Sequence, residues 1–179
     1  MSGVGALVGT AAWEQSADAS LVRGLTLAEL VAASAHAVVG TALDTHSNWA
    51  ELGGRRLIVT DTRVRIEETL ARQAPLESEV IVRVLGGIVG KLGERVDGQA
   101  ELLLGEPCTL FLTPVSPTLA FVTGAAQGHY PLLADAQAKL RLQPSPHLPT
   151  MVKRAQSAVS VLGGTTLSEA RELLRAAAR

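Results

Sequence analysis

Between Ala37 and Leu133 the chain runs through one short alternating segment after another, broken by Gly- and Pro-bearing turns, with no helical periodicity between them. Strand following strand excludes a parallel α/β sheet, which needs a crossover of a dozen or more residues between neighbours. The expectation is a mainly β chain: a small antiparallel barrel or sandwich, with a helix on either side.

The clearest strand is Leu57 to Glu67. Ile58, Thr60, Thr62, Val64 and Ile66 share one face, and Asp61, Arg63, Arg65 and Glu67 the other, so one face is wet. Ala37 to Leu43 reads as the first strand, ending in a polar turn through Asp44, Ser47 and Asn48, and Gly53-Gly54 marks the next turn. Ala74-Pro75 closes the second strand. Val80, Val82 and Val84 build a third, with Glu79 and Arg83 pointing away. Cys108 to Thr113, a Pro-Val-Ser-Pro turn at 114–117, Leu119 to Thr123 and His129 to Leu133 follow, with Gly124 and Gly128 allowing a bend. Ile58, Val64, Ile66, Val80, Val82 and Leu110 are the expected core. Aromatic residues make up only 3% of a chain that is 47% hydrophobic, so that core must be aliphatic.

Helices are signalled at both ends. Thr26-Leu27-Ala28-Glu29 and Thr166-Leu167-Ser168-Glu169 are capping boxes: the Thr hydroxyl accepts from the backbone N–H of Glu, whose carboxylate reaches back to the Thr N–H. His36 is expected at the carbonyl-rich end of the first helix, where a charged imidazole is favoured. Pro144, Pro146 and Pro149 make a stiff linker, and Met151 to Leu162 carries Val152, Ala155, Val159 and Leu162 at helical spacing until Gly163-Gly164. The chain therefore divides into 1–24, a flexible N-terminus or signal-peptide remnant; 25–143, the β domain; and 144–179, the linker with C-terminal helices. Gly3 to Ala12 and Ala17-Asp18-Ala19 have the form of a signal-peptide core and cleavage site without a positive n-region. With a start further upstream, Lys or Arg is expected there and a mature chain beginning near Ser20. No segment has the length of a transmembrane helix.

The segment Gly86 to Gly105 holds six glycines interleaved with Val and Leu and reads as a long irregular hairpin or flap. Its apolar tips, Ile88, Val89 and Leu92, with Lys91, either adapt to a partner or fold back onto the sheet. With Gln127, His129 and Tyr130 they form the candidate binding surface. Gly90-Lys91 is not a phosphate loop, because Leu85 stands where the first glycine is needed and Leu92 where the Mg²⁺-binding hydroxyl is needed.

Other chemistry finds little support. The four histidines, His36, His46, His129 and His147, form no H-x-x-x-H pair. Asp44 with His46 is a possible metal pair or a solvated loop pair. Glu94 with Glu101 or Glu106 could pair as carboxylates. No Gly-x-Ser-x-Gly elbow marks a nucleophile. Cys108, the single cysteine, lies in an apolar strand and reads as a buried, inert thiol. The net charge of −1, acidic neighbours beside Arg55, Arg56, Arg63 and Arg65, and few, dispersed aromatics (Trp49, Phe111, Phe121, Tyr130) argue against nucleic-acid binding.

Three segments carry a family resemblance. Ala35-His36-Ala37-Val38-Val39-Gly40-Thr41 resembles the A-D-x-V-V-x-G-x-V opening of netrin-like and TIMP-like modules. Val64 to Leu70 resembles their V-x-V-x-x-x-x-K-G strand end, and Gly105 to Leu112 their G-x-x-Y-L-L-F-L strand. The Gly-rich insert and Ala126-Gln127-Gly128-His129-Tyr130 resemble a group of uncharacterised bacterial secreted proteins with the same frame. The resemblance covers roughly 25–133 and implies a five-stranded OB-like barrel that binds rather than catalyses. It also implies secretion or the cell envelope, and an extracellular metalloprotease as a candidate partner. Two departures weigh against zinc-directed inhibition: a lone cysteine cannot form the family's disulfides, and no N-terminal cysteine is present to meet a protease zinc. The expected function is a non-enzymatic, protein-binding module without a cofactor. The rival is a hydrolase with an unmarked site near His129.

Overall fold

The structure, a computed structural model, describes residues 21–72 and 76–178. Ala74-Pro75 and the residues before 21 lie outside the described residues. Among those described, eleven strands and three helices follow in order: β1 Val22–Arg23, α1 Leu27–Ala33, β2 His36–Leu52, β3 Arg55–Arg72, β4 Glu79–Leu85, β5 Gly87–Val89, β6 Leu92–Glu94, β7 Pro107–Ser116, β8 Leu119–Val122, β9 His129–Ala134, β10 Leu140–Leu142, β11 Met151–Val152, α2 Ala158–Leu162 and α3 Leu167–Ala177. The chain is mainly β.

Seven strands form one sheet in the order β10-β9-β7-β2-β3-β4-β8, and β8 also pairs with β7. The extra pairing closes a ring of five strands, β2-β3-β4-β8-β7. Every neighbour in it is antiparallel except β4 and β8. The inner faces of the ring meet around Val38, Val64, Val82, Leu110 and Leu112, all completely buried. Of the six expected core residues, Ile58, Val64, Val80, Val82 and Leu110 are buried, and Ile66 is partly buried against the same cluster.

Alternation sends the neighbouring residues to the outer face, where a second core gathers. Ala37 and Val39 of β2, Phe111 of β7 and Tyr130 of β9 meet Leu30 of α1, Leu162 of α2 and Leu174 of α3 there. Phe111 and Tyr130 meet edge to face at 6.0 Å. Both capping boxes are formed, with the Glu29 N–H donating to Thr26 and the Glu169 N–H to Thr166. Arg171 ties α3 to Glu68 of β3 through an ion pair.

β2 does not end at Leu43. It runs on to Leu52 as half of a long hairpin with β3, turned at Gly53-Gly54, whose φ angles of 58° and 76° suit a tight hairpin turn. The residues read as a polar turn stay in the strand because each finds a partner across it: Asp44 with Arg63, Ser47 with Thr60, and Asn48 with Asp61. Register shifts at Ala37/Val38, Val39/Gly40 and Ala42/Asp44 give the hairpin the local bends that closure of the ring needs. Gly40 allows the closest approach, since a Cβ there would lie 2.7 Å from Val64.

Three further expectations are corrected. α1 ends with Ser34 as its C-cap, so His36 is the first residue of β2 and 2% exposed, not part of the helix terminus. β7 continues through Pro114 to Ser116, and only the end of the Pro-Val-Ser-Pro segment turns. The stretch 151–162 is not one helix. Val22 and Gly24 of the N-terminal segment bond Thr150 and Val152 across a parallel β1–β11 pair, and Lys153 takes φ 58°. A single 3₁₀ turn, Arg154–Gln156, follows, and α2 begins only after Ser157, whose side chain caps it.

Candidate functional site

Inside the ring, the face of β3 that begins as Ile66 and Val64 changes character towards Ile58. Thr62 and Thr60 succeed the aliphatic pair and meet Thr45 and Ser47 of β2. The Thr45–Thr62 hydroxyls lie 3.2 Å apart and the Ser47–Thr60 hydroxyls 2.9 Å. Thr60 also donates to the Gly86 carbonyl at 2.7 Å. Thr45, Thr60 and Thr62 of this ladder line a cleft of about 840 Å³, a size typical of ligand sites.

The cleft's end is built from glycine. Gly87, at φ 137°, passes so close to the ladder that a Cβ would lie 2.3 Å from the Thr60 hydroxyl and 2.5 Å from that of Ser47. One wall is the strap 94–102, which beyond Glu94, the last residue of β6, crosses the ring without pairing as a strand. Its groups are tied down individually. The Glu94 carboxylate accepts from the Ile58 N–H at 3.0 Å, Gln99 accepts from the Leu85 N–H at 3.2 Å, and the Gly98 carbonyl accepts from the Ala126 N–H at 2.8 Å. Ala100, 4% exposed, and Leu102 pack into the ring core. The segment 146–150 lines the cleft beside the strap, and its His147 is hydrogen-bonded to Glu101.

The seven candidate binding residues do not converge. Ile88, Val89, Lys91 and Leu92 belong to the β5–β6 hairpin, which rises from the cleft's rim and displays Ile88 and Leu92 at 72% and 61% exposure. Val89 is half-buried and β5 lies against β2 and β3, so the apolar display is that of Ile88 and Leu92. Gln127, His129 and Tyr130 are buried at 3%, 2% and 0% exposure. The Gln127 amide holds the N-terminal segment, accepting from the Leu25 N–H at 2.7 Å and donating to the Arg23 carbonyl at 3.2 Å. His129 Nδ1 lies 3.2 Å from the buried Ser145 hydroxyl, and burial lowers its pKa to about 4, so the ring is neutral at pH 7. Burial raises the pKa of the Tyr130 phenol.

The remaining candidates resolve into structural roles. Asp44 is paired with Arg63. Among the described residues, no group of three or more His, Cys, Asp or Glu side chains is placed to hold a metal. Cys108 donates weakly to the Gly40 carbonyl at 3.7 Å, and burial pushes its thiol up to about 12, so little thiolate is available. Arg56 stacks over Trp49 at 4.9 Å, and Arg83 is held by both oxygens of Asp61 at 2.6 Å. The Arg83 bonds keep the Asp61 carboxyl below its ordinary pKa. No helix among the described residues is long and apolar enough to cross a membrane.

Local sequence patterns do not reveal the cleft. Their one signal of it is the pair Thr60 and Thr62 on a face otherwise made of Ile and Val. Glu94 and Glu101 read from the sequence only as a possible carboxylate pair, and Gln99 and His147 carry no local signal, because the strap and 146–150 are more than forty residues apart and meet only in the fold. No protein-family model, curated protein or solved structure matches the chain.

Proposed function

We propose that this protein is a non-catalytic binding module, built on an OB-type barrel, that takes a protein partner through the β5–β6 hairpin. The ring order supports the barrel reading. β2, β3 and β4 follow one another as a meander, β7 returns beside β2, and β8 closes the gap to β4, a five-stranded Greek-key path of the OB kind. The observation that carries the functional reading is the display of Ile88 and Leu92 on a hairpin whose base is pinned by Gly86, Gly87 and Glu94. Apolar side chains held away from the core on a pre-ordered hairpin bind with little ordering cost.

The cell envelope or exterior is the setting we favour, from the netrin-like and TIMP-like resemblance of 25–133. A hydrolase centred on His129 lacks support: the imidazole and its Ser145 partner are 2% and 3% exposed, out of reach of a substrate. The test is affinity capture from culture medium and envelope fractions, with the protein and an Ile88→Ser/Leu92→Ser variant as baits. A partner retained by the first and lost by the second is expected. Equal recovery by both baits would remove the hairpin from the reading.

A further inference from the structure

The cleft differs from the hairpin in its chemistry. Glu94, Asp97 and Glu101 border it, against Arg95 and His147. Asp97 lies 3.6 Å from Arg95, and Glu101 is bonded to His147. Glu94 stands apart. Its carboxylate is oriented by the Ile58 N–H, and no ion pair among the described residues includes it. A carboxylate already held by a backbone donor needs little reorganisation to meet a cation, and no resident cation has to leave.

The rest of the cleft narrows the choice of ligand. The Thr45 and Thr60 hydroxyls and the backbone around Gly86 offer polar partners. Among the described residues no Phe, Tyr or Trp lines it, so sugars and bases have no stacking platform. Phosphate groups would meet three carboxylates and one guanidinium. The cleft is not enclosed, so a segment of a longer chain can lie in it.

We infer that the cleft seats an extended basic segment of a protein partner, with a Lys or Arg side chain at Glu94 beside the Thr45 and Thr60 hydroxyls. This rests on the protein-binding reading above and adds to it the site and the charge of the ligand. The probe is a short capped peptide alternating Lys and Ser, compared by fluorescence anisotropy with one alternating Glu and Ser. Both are titrated against the full chain and against Glu94→Gln/Glu101→Gln. The carboxamides keep the Ile58 and His147 hydrogen bonds while removing charge, and a melting curve checks the fold. The Lys peptide should bind the full chain, weaken with added salt, and bind the carboxamide variant about tenfold less tightly. The Glu peptide should not bind. Equal affinity of the Lys peptide for both proteins, binding of the Glu peptide, or binding of neither peptide would overturn the inference. The Ile88→Ser/Leu92→Ser variant separates the two readings. It should bind the Lys peptide as the full chain does, whatever it does to partner capture, and its loss of the peptide would overturn the cleft as an independent site.

Discussion

The stretches 87–94 and 95–102 each carry three apolar side chains and have opposite fates. In 87–94 the backbone pairs with itself, Gly87 with Glu94 and Val89 with Leu92, so the hairpin satisfies its own hydrogen bonds and leaves Ile88 and Leu92 in solvent. In 95–102 the backbone has no strand to pair with. It is fastened to the ring through Gln99, the Gly98 carbonyl and the packing of Ala100 and Leu102. A segment that closes its own ladder can stand away from the core. One that cannot must find partners on the surface it crosses, and it buries Ala100 and half-buries Val96 and Leu102 as a result.

Substitutions can break that contrast at its hinge. Gly87→Ala should cost about 2–4 kcal/mol, because it combines a positive φ with overlap on the Thr60 and Ser47 hydroxyls. At the hairpin tip, Gly90→Ala has φ 63° but nothing within 4 Å, and should cost only about 1 kcal/mol. Urea unfolding of both variants measures the difference, and similar losses would mean that Gly87 is not pressed against the ladder.

Acid should act on the cleft region before the hairpin. Burial lowers the pKa of His129 from its ordinary 6.5 to about 4, while nearby Glu101 opposes that shift and His147 adds to it. The folded state thus resists protonation more than the unfolded chain does. The contribution is present above pH 6.5 and is lost as the pH falls towards 4, by up to about 3 kcal/mol. Hydrogen exchange, corrected for intrinsic rates, should show Ala126, whose N–H bonds the strap, losing protection over that window while Val89 of the hairpin does not. Parallel loss at both sites would mean the two halves open together.

Leu102→Ala should destabilise by about 1–2 kcal/mol, as expected for a partly buried aliphatic side chain in a packed core. The Ile88→Ser/Leu92→Ser variant should change stability by less than about 0.5 kcal/mol, because neither side chain is buried. Thermal melts would show whether the ranking holds. A stability loss in the hairpin variant as large as that of Leu102→Ala would place the hairpin in the core after all.

Local signals are legible in the amino-acid sequence alone. The Thr26 and Thr166 capping boxes, the Gly53-Gly54 turn and the alternation from Leu57 to Glu67 each depend on chemistry within a few residues, and each forms as expected. Burial of Cys108 follows from its apolar surroundings in the chain. Local preference misleads where a distant partner overrides it. Asp44 to Asn48 have the composition of a turn, yet Arg63, Thr60 and Asp61 opposite them hold them in a strand. Met151 to Leu162 has helical spacing, yet β1 claims Met151 and Val152. Gln127, His129 and Tyr130 suggest a surface because polar and aromatic side chains carry no mark of burial when their partners, Leu25, Ser145 and Phe111, are distant in sequence.

The amino-acid sequence determined the elements whose hydrogen bonds close locally: capped helices, tight turns and strands with one wet face. Only the tertiary structure decided which strands close the ring and that the hydroxyls of β2 and β3 lie at its open end. It also decided that Glu101 meets His147 and that both line one cleft with Glu94. Those outcomes depend on contacts between segments tens of residues apart, which alternation and capping cannot encode.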